Sequence, residues 1–446
     1  MSMVEPQGEI GKEDVYGDFA VTPVPMDKRR SFWSVFLVFT GVVICAPALW
    51  SGAAVASGLN FLHSTIAVII GFGITGVIGG FVAMIGSRHG VSTVMLSRHI
   101  FGRYGAMIMG VILAFTMLGW YSFQAGFFGL ILNTMYPGYA LTDPQVAAVW
   151  GGLLMMITAI FGFKGLAFLS FFSIPLLLML IAAGDVALLS EGGFSAVMKA
   201  VPMGSISLGE GITMMAGGMA AGAAAAADVS RYNKTLLHAF LAFFLTLAVV
   251  TPLIVLSGAA LTLGTGSPDL PSALVGVGLG AAALVILILS QWTSNDNNLY
   301  SSSLAVLNLL RIKKWIVVLV LGTAATIVAG LGILDFFMGY MLFLGTYIPP
   351  IAGIFIADYF IVKPYIDGRR EGKRYDFGSG TNYVGIDILA FVMIILAGFL
   401  GGKIPGVTVV NAILLALIGY SVFTLIFKKI GIPYRFGKRT EDASGF

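Results

Sequence analysis

The sequence predicts an all-α integral membrane protein with about twelve transmembrane helices, and three observations carry this prediction. Its 446 residues are 58% hydrophobic and only 10% charged, whereas soluble domains carry about 25% charged residues. Hydrophobic runs recur along the whole chain, and each is long enough to cross a bilayer, which takes about 20 apolar residues. Basic residues are concentrated in alternate connections between these runs. A chain with so little polar surface must face mostly lipid.

The hydrophobic runs follow one another with short connections. We expect them to form helical spans, with boundary errors of a few residues, near residues 33–57, 64–86, 106–134, 145–163, 166–188, 209–227, 237–263, 279–303, 315–334, 337–360, 384–402 and 408–427. The 58 glycines suit membrane helices, in which small residues let two backbones approach closely. The single cysteine, Cys45, excludes an internal disulfide or a cysteine metal cluster.

The basic residues indicate how the spans are oriented. With twelve spans and both termini on one side, that side holds all of the 25 basic residues except Lys199 and Lys403. The positive-inside rule then predicts that both termini are cytoplasmic. One span more or fewer would scramble the alternation, which favours an even count.

The order of the spans predicts five segments. We expect a cytoplasmic N-terminal segment (1–32), a first five-helix repeat (33–188), a second five-helix repeat (209–360), two additional helices after a cytoplasmic loop (361–427) and a cytoplasmic tail (428–446). Because five is odd, the second repeat must enter the membrane from the opposite side. The halves share no clear sequence identity, so the hydropathy pattern alone carries this prediction.

The first and sixth spans are poor uniform helices. The first contains Pro47, which cannot donate a backbone hydrogen bond. The sixth has three glycines within residues 216–222, and each weakens a helix by about 1 kcal/mol relative to alanine. One interpretation is a kink or a close helix crossing in each span. Interruptions at matching positions of two repeats instead favour a substrate site at the membrane midplane.

The eighth span carries a dense polar block, residues 290–298, after an apolar run. An ionised aspartate inside the bilayer costs roughly 2.5–3.5 kcal/mol, so the block must face the bundle interior or water. Three interpretations stay open: a loop that splits the segment, polar contacts between helices, and a cation or substrate site. Hydroxyls of Thr293 and Ser294, with carbonyls freed near Gly41 and Ile44, suit a hard monovalent cation.

The third span carries an aromatic residue and an amide on one helix face. Trp120 and Gln124 are four residues apart, which places them on the same side of a helix. A flat ring beside an amide that both donates and accepts suits a planar, hydrogen-bonding heterocycle. The other interpretation is an aromatic anchor near the membrane interface.

Several motifs, spread from the first to the tenth span, carry a resemblance to a known family. They are residues 49–52, Gly119-Trp120, residues 227–232, residues 292–300, Ile348-Pro349-Pro350 and residues 356–359. The chain resembles the nucleobase–cation symporter family, and within it the bacterial cytosine permeases. This resemblance implies a leucine-transporter-type core, a 5+5 inverted repeat, followed by two C-terminal helices, in the bacterial inner membrane.

The resemblance also implies which residues bind the ligands. The sodium ligands would be Gly41, Ile44, Ser290, Thr293 and Ser294. The substrate ligands would be Trp120, Gln124, Gly218, Met219, Gly222 and Asn295. The chain departs from the cytosine permeases at Gly218-Met219, where they have a Ser-Phe pair, so a second aromatic face is missing. Ser290 stands where an asparagine is expected, although a carbonyl role survives that change.

Together these features predict a secondary active transporter, not an enzyme, that imports a nucleobase with sodium by alternating access. Alternatives are another planar heterocycle (hydantoin, allantoin or hydroxymethylpyrimidine) and proton coupling. A channel would show a repeated pore motif, and a sensor would add a soluble domain. We expect no cofactor besides the coupling ion, and as partners only the substrate, the ion and the bilayer, with no nucleic acid and no obligate protein. Asp296 is best interpreted as a structural group.

Overall fold

Within the described residues, each predicted hydrophobic run forms a helix over most of its length. The structure, a computed structural model, describes residues 19, 22–161, 163–190, 192–307, 313–369, 374–377, 381 and 383–437. Most of the predicted N-terminal segment, through residue 18, and the end of the predicted tail, from residue 438, lie outside the described residues.

In the part of the chain that the structure describes, twelve helical spans follow the predicted order. The first seven are Phe32–Val43 with Ala46–Gly58, Phe61–His89, Arg103–Met135, Pro144–Phe161, Phe163–Ser190, Leu208–Gly218 with Ala220–Ala224 and Ala227–Ser230, and Leu236–Leu245 with Thr246–Val250 and Thr251–Thr265. The last five are Gly280–Leu307, Lys314–Gly330, Phe337–Tyr347 with Pro349–Ile356 and Ala357–Ile366, Ile388–Gly401, and Thr408–Ile430. Thr246–Val250 and Ala357–Ile366 are π-helical.

Short elements connect the spans. They are the helices Met26–Lys28, Thr93–Ile100, Ala140–Thr142, Gly193–Lys199, Leu270–Gly276 and Ile333–Phe336, and the strands Ile386–Asp387 and Arg435–Phe436. The two strands pair antiparallel, with Ile386 opposite Phe436.

Hydropathy and length separate the spans into three groups. Within the described residues, six helices are long and apolar enough to cross a membrane unaided, and the two halves of the first span meet that test together. Three more are apolar but shorter. The other two are the broken sixth span and the eighth span, whose polar block lowers its hydropathy.

The predicted interruptions of the first and sixth spans are both present. The halves of the first span meet at an angle of 57°, with Pro47 in the first turn of the second half, where its missing N–H costs nothing. The sixth span stops at Gly218 and restarts at Ala220, because Met219 leaves the helical conformation (φ −122°, ψ 13°). The eighth span, in contrast, is one continuous helix, so the interpretation of a loop splitting it is wrong.

Glycines let the two repeats interlock. A Cβ on Gly52 of the first span would collide with the Val255 carbonyl of the seventh, and a Cβ on Gly258 of the seventh would collide with the Leu49 carbonyl of the first. The matching pair in the other repeat, spans six and two, meets in the same way: a Cβ on Gly71 would lie 2.6 Å from the Ile212 carbonyl. Both contacts depend on the absence of a side chain, as expected for close membrane helices.

Both ends of the described chain lie on one side of the bundle. The N-terminal segment pairs with the connection after the sixth span through a bridge between Arg30 and Asn233. Near the other end, Arg435 donates to Asp387 at 2.8 Å, just before the eleventh span. Burial raises the pKa of Asp387, and the nearby Arg435 opposes that shift. The connection between spans two and three contacts both regions, since Val24 donates to the Gly90 carbonyl at 2.7 Å and Arg103 to the Val384 carbonyl at 2.8 Å. Both ends therefore lie on one side, as an even number of spans requires.

Candidate functional site

A cavity of about 170 Å³ lies where the two broken spans meet the third and eighth spans. The residues around the two breaks and residues of the second, third, seventh and eighth spans form its wall: Val42, Val43, Cys45, Pro47, Ala48, Ser51, Phe72, Met117, Trp120, Gln124, Gly218, Met219, Ala221, Gly222, Thr251, Ser294, Asn297 and Asn298. The wall is mostly apolar, with a few polar groups directed into it, which is the usual character of a small-molecule site.

Five of the six residues predicted to bind the substrate line this cavity. They are Trp120, Gln124, Gly218, Met219 and Gly222. Each half of the molecule contributes to the set, because the third span belongs to the first repeat and the sixth span to the second. The structure therefore brings together residues that are about 100 positions apart in the chain.

Asn295 is the exception, and its expected place facing the substrate has to be corrected. Its side chain is fully buried and its Nδ2 lies 3.1 Å from the sulfur of Met155 in the fourth span. Consecutive residues of a helix point about 100° apart, whereas residues three and four apart share a face. In this unbroken helix the cavity face is therefore formed by Ser294, Asn297 and Asn298.

Trp120 is held edge-on by two aromatic rings of the tenth span. The rings of Phe337 and Tyr340 lie 5.9 and 5.8 Å from its ring centroid, at 75° and 80°. The Tyr340 hydroxyl donates to the Thr116 carbonyl one turn earlier in the third span, at 2.5 Å. These contacts fix the plane of the indole, which is 8% exposed and borders the cavity.

Phe72 of the second span is a cavity residue that sequence reasoning missed. Its Cε1 and Cζ atoms lie 3.9 Å from the position that a Cβ on Gly218 would take. The glycine therefore leaves space that an aromatic ring from another span borders. No sequence signal distinguished Phe72, because it lies inside a uniformly apolar run. The polar pair Asn297 and Asn298 did carry a signal, as part of the block in the eighth span.

Gln124 links the third span to the eighth through two separate groups. Its side-chain Oε1 accepts a hydrogen bond from the Ser294 hydroxyl at 2.6 Å. Its backbone carbonyl accepts one from Nε2 of Gln291 at 2.9 Å. The Oε1 of Gln291 in turn accepts from the indole of Trp50 at 2.9 Å. One chain of hydrogen bonds thus joins spans one, eight and three beside the cavity.

The residues predicted as sodium ligands lie on spans one and eight, and three contacts join these spans to each other and to the fifth. The amide of Ala46, just after the break, donates to the Ser290 hydroxyl at 3.2 Å. The Thr293 hydroxyl lies 3.2 Å from that of Ser173. The next residue of the fifth span, Ile174, lies 3.8 Å from the Cβ position of Gly41.

The break frees two carbonyls of the first span. In a continuous helix the amide of Cys45 would donate to Gly41 and that of Ala48 to Ile44. Here Cys45 donates to the Val43 carbonyl at 3.0 Å, and Ala48 donates to the Cys45 carbonyl at 3.1 Å. Neutral hydroxyl and carbonyl oxygens therefore gather here. Within the described residues, no group of three or more His, Cys, Asp or Glu side chains is placed to hold a metal ion.

An aromatic cap, formed by Trp50, Phe127 and Phe337, lies beside the cavity on the side away from the termini. The rings of Trp50 and Phe127 stack at 4.0 Å and 11°, and Phe337 meets Phe127 edge-on at 5.0 Å. All three are nearly fully buried. The cap joins spans one, three and ten, which must separate there for a substrate to enter from that side.

Asp296 lies on a different face of the eighth span, against the fourth. The Thr158 hydroxyl donates to its Oδ1 at 2.8 Å and accepts from the indole of Trp292, also at 2.8 Å. Asp296 does not line the cavity. Its contacts are those of a polar link between helices.

Comparisons with known proteins agree with this architecture. The family model for permeases for cytosine/purines, uracil, thiamine and allantoin matches residues 23–423. The cytosine permease of Escherichia coli strain K12 is 27% identical over 417 residues, which cover 92% of this chain and 95% of the relative. The cytosine permease of Escherichia coli O157:H7 matches to the same extent.

Solved transporters share the fold. Mhp1, a nucleobase–cation-symport-1 family transporter, superposes in its inward-facing conformation with a TM-score of 0.77 at 19% identity, over 94% of this chain and 95% of that one. Its closed conformation with bromovinylhydantoin bound gives 0.72 at 18% identity, over 92% and 96%. The match of the family model over most of the sequence shows that this chain belongs to the family of permeases for cytosine/purines, uracil, thiamine and allantoin.

Proposed function

We propose that this permease imports a nucleobase or a related planar heterocycle together with a sodium ion, by alternating access. The observation that carries the proposal is the cavity at the two helix breaks, with Trp120 and Gln124 on one wall and Ser294 on another. Interrupted helices at matching positions of inverted repeats are where such transporters bind substrate and ion.

The substrate would lie between the third and sixth spans. Trp120 offers a ring for stacking, and stacking of a base on an aromatic side chain is worth about 1–3 kcal/mol. Gln124 and Asn298 offer amides for hydrogen bonds, while Gly218 and Gly222 leave room for the ring to approach the backbone. Met219 would pack against the ligand as a thioether, which is less flat than an aromatic face.

The sodium ion would lie between the first, fifth and eighth spans. The carbonyls of Gly41 and Ile44 have lost their usual helical donors. The Ser290 hydroxyl contacts the first span, the Thr293 hydroxyl lies beside the fifth, and Ser294 lines the cavity. Freed carbonyls beside hydroxyls form the kind of cage that coordinates Na⁺ in broken-helix transporters. Sodium bound here would hold the first and eighth spans together while the substrate binds.

The identity of the heterocycle follows less directly from these residues. The curated relatives are cytosine permeases, which makes cytosine the first candidate. The Gly218-Met219 pair and the Trp120–Gln124 pair favour testing hydantoin, allantoin and hydroxymethylpyrimidine beside the nucleobases. The excess of basic residues on the side of the termini favours a plasma-membrane orientation with both termini cytoplasmic.

Uptake by purified protein in liposomes tests the proposal. Radiolabelled cytosine, adenine, uracil, hydantoin and allantoin are offered with an inward sodium gradient, and with choline in place of sodium at the same pH. We expect saturable uptake of at least one compound that collapses in choline. Full uptake in choline would contradict sodium coupling, and loss of that uptake on collapsing a pH gradient would identify the proton instead. Flux that does not saturate would identify a channel.

A further inference from the structure

One hydroxyl in the site has more acceptors within reach than it has hydrogens. Ser294 Oγ lies 2.6 Å from Gln124 Oε1, 3.1 Å from the Ser290 carbonyl and 3.1 Å from the Gln291 carbonyl. A serine hydroxyl carries a single hydrogen, so it donates to one of these oxygens at a time. The shortest distance is to Gln124, which makes that amide its main acceptor in this structure.

Two of the oxygens in this group are also proposed sodium ligands, and the inference rests on that proposed function. If a cation is bound to Ser294 Oγ and to the Ser290 carbonyl, the hydroxyl hydrogen must point away from it, because the cation repels the partial positive charge on that hydrogen. The bond back to Ser290 is then lost. The hydrogen turns to the side chain of Gln124, which lies across the interface in the third span.

We propose that the coupling cation fixes the orientation of the Gln124 amide through the Ser294 hydroxyl. With Oε1 held by Ser294, Gln124 presents its two N–H groups, and not its oxygen, to the cavity. The transported compound must then offer a hydrogen-bond acceptor at this point, a carbonyl oxygen or an unprotonated ring nitrogen. Without the cation, the hydroxyl can return to Ser290, and the amide is free to turn over.

The rest of Gln124 is held independently of its side chain. Its backbone carbonyl accepts from Gln291 at 2.9 Å, and Gln291 is tied to Trp50. Both Gln291 and Gln124 are almost completely buried. The helix position at residue 124 therefore does not depend on the Ser294 contact. Only the side-chain amide has two orientations, and a bound cation favours one of them.

Such a contact makes ion and substrate binding cooperative. An effector that changes the affinity for a ligand is itself bound more tightly, by the same factor, when the ligand is present. Ser294 and Gln124 are in direct contact, so the coupling needs no movement of either span. Ser294 therefore binds the cation, and the orientation of Gln124 changes the affinity for the substrate when the cation is bound.

The test measures a coupling factor: the dissociation constant of a heterocycle without sodium divided by that with saturating sodium. Purified protein is titrated with cytosine, uracil and hydantoin, and the compound that binds most tightly is used throughout. We expect a factor of about ten or more for the wild type, since a tenfold change corresponds to about 1.4 kcal/mol. In Gln124→Leu the factor should fall to about one, with sodium affinity in the absence of heterocycle within about twofold of wild type.

Two matched variants separate coupling from general damage. Trp120→Leu should weaken heterocycle binding with and without sodium and keep the wild-type coupling factor. Ser294→Thr retains the hydroxyl and should keep most of the coupling. A Gln124→Leu protein with the wild-type factor would overturn this inference and leave sodium symport standing. A wild-type factor of one would overturn the inference and the proposed sodium coupling together.

Discussion

Trp50 provides the sharpest test of how the cavity is closed, because its ring belongs to the aromatic cap and its indole N–H donates to Gln291 beside the cavity. Its ring stacks on Phe127 at 4.0 Å, and its indole N–H donates to Gln291 Oε1 at 2.9 Å. Trp50→Phe keeps a smaller aromatic ring for the stack and removes the N–H. The Gln291 oxygen, which is fully buried, then loses its donor while the cap is closed.

The expected size of the effect follows from that lost hydrogen bond. Leaving a buried acceptor unsatisfied costs about 1–3 kcal/mol. When the cap opens, water can reach Gln291, so this cost falls on the closed arrangement alone. A bias of that size changes the ratio of the two arrangements by roughly 5-fold to 150-fold. Trp50→Phe should therefore populate the arrangement open on the side away from the termini.

The chain contains its own reporter for this change. Cys45 is the single cysteine and lines the cavity beneath the cap. A membrane-impermeant thiol reagent applied to oriented vesicles, on the side away from the termini, should label Trp50→Phe at least about five times faster than wild type. Cys45→Ala gives the background rate.

A second substitution provides the matched control. Removing both partners of a buried hydrogen bond is far less costly than removing one, so Trp50→Phe combined with Gln291→Leu should label more slowly than Trp50→Phe alone, although Gln291→Leu also removes the bond to the Gln124 carbonyl. Equal labelling of Trp50→Phe and wild type, with both proteins correctly folded, would refute the reasoning. In that case the hydrogen bond would be equally strong in both arrangements.

Three further predictions follow from other contacts. Thr293→Ala should weaken sodium binding about tenfold while leaving heterocycle affinity in saturating sodium unchanged, whereas Trp120→Ala should weaken heterocycle binding by about 1–3 kcal/mol; a thermal-shift titration with each ligand distinguishes the two. Gly52→Val should prevent stable folding, because a Cβ there meets the backbone of the seventh span, while Gly73→Val, which meets no atom within 4 Å, should fold normally by size-exclusion chromatography. Burial lowers the pKa of His99 to about 4, below its usual value of about 6.5, so the unfolded chain binds the extra proton and the free energy of unfolding falls as pH drops from about 6.5 towards 4; His99→Phe should show a smaller loss of melting temperature between pH 7 and 5.

The helical spans and their breaks were predictable because both depend on local chemistry. The uniform runs reflect the requirement that apolar side chains face lipid along the whole length of a helix. Pro47 lacks a donor, and the glycines around Met219 weaken helical propensity wherever the chain places them. The continuous eighth span follows the same rule, because no proline or glycine interrupts residues 281–305.

The direction in which individual side chains point was less predictable. Asn295 carried the expected chemistry, but the rotation of the eighth span turns it toward Met155 and presents Asn298 to the cavity. Phe72 borders the site although its own span shows no irregularity. Both depend on how a helix is rotated about its axis against its neighbours, and that rotation is set by tertiary contacts, such as the glycine crossing at Gly71.

The central position of the eighth span explains why it carries a block of consecutive polar residues. A helix at the edge of a bundle has one polar face, and its polar residues recur three or four positions apart. Here consecutive residues are polar because three different neighbours need them: Ser294 and Asn298 face the cavity, Thr293 faces the fifth span, and Trp292 and Asp296 share a face against the fourth. None of these side chains has to face lipid, so the bilayer tolerates a block that hydropathy alone would exclude. An unbroken run of polar residues therefore indicates a helix surrounded by protein on several sides, and it assigns Asp296 to the junction with the fourth span and not to the cation.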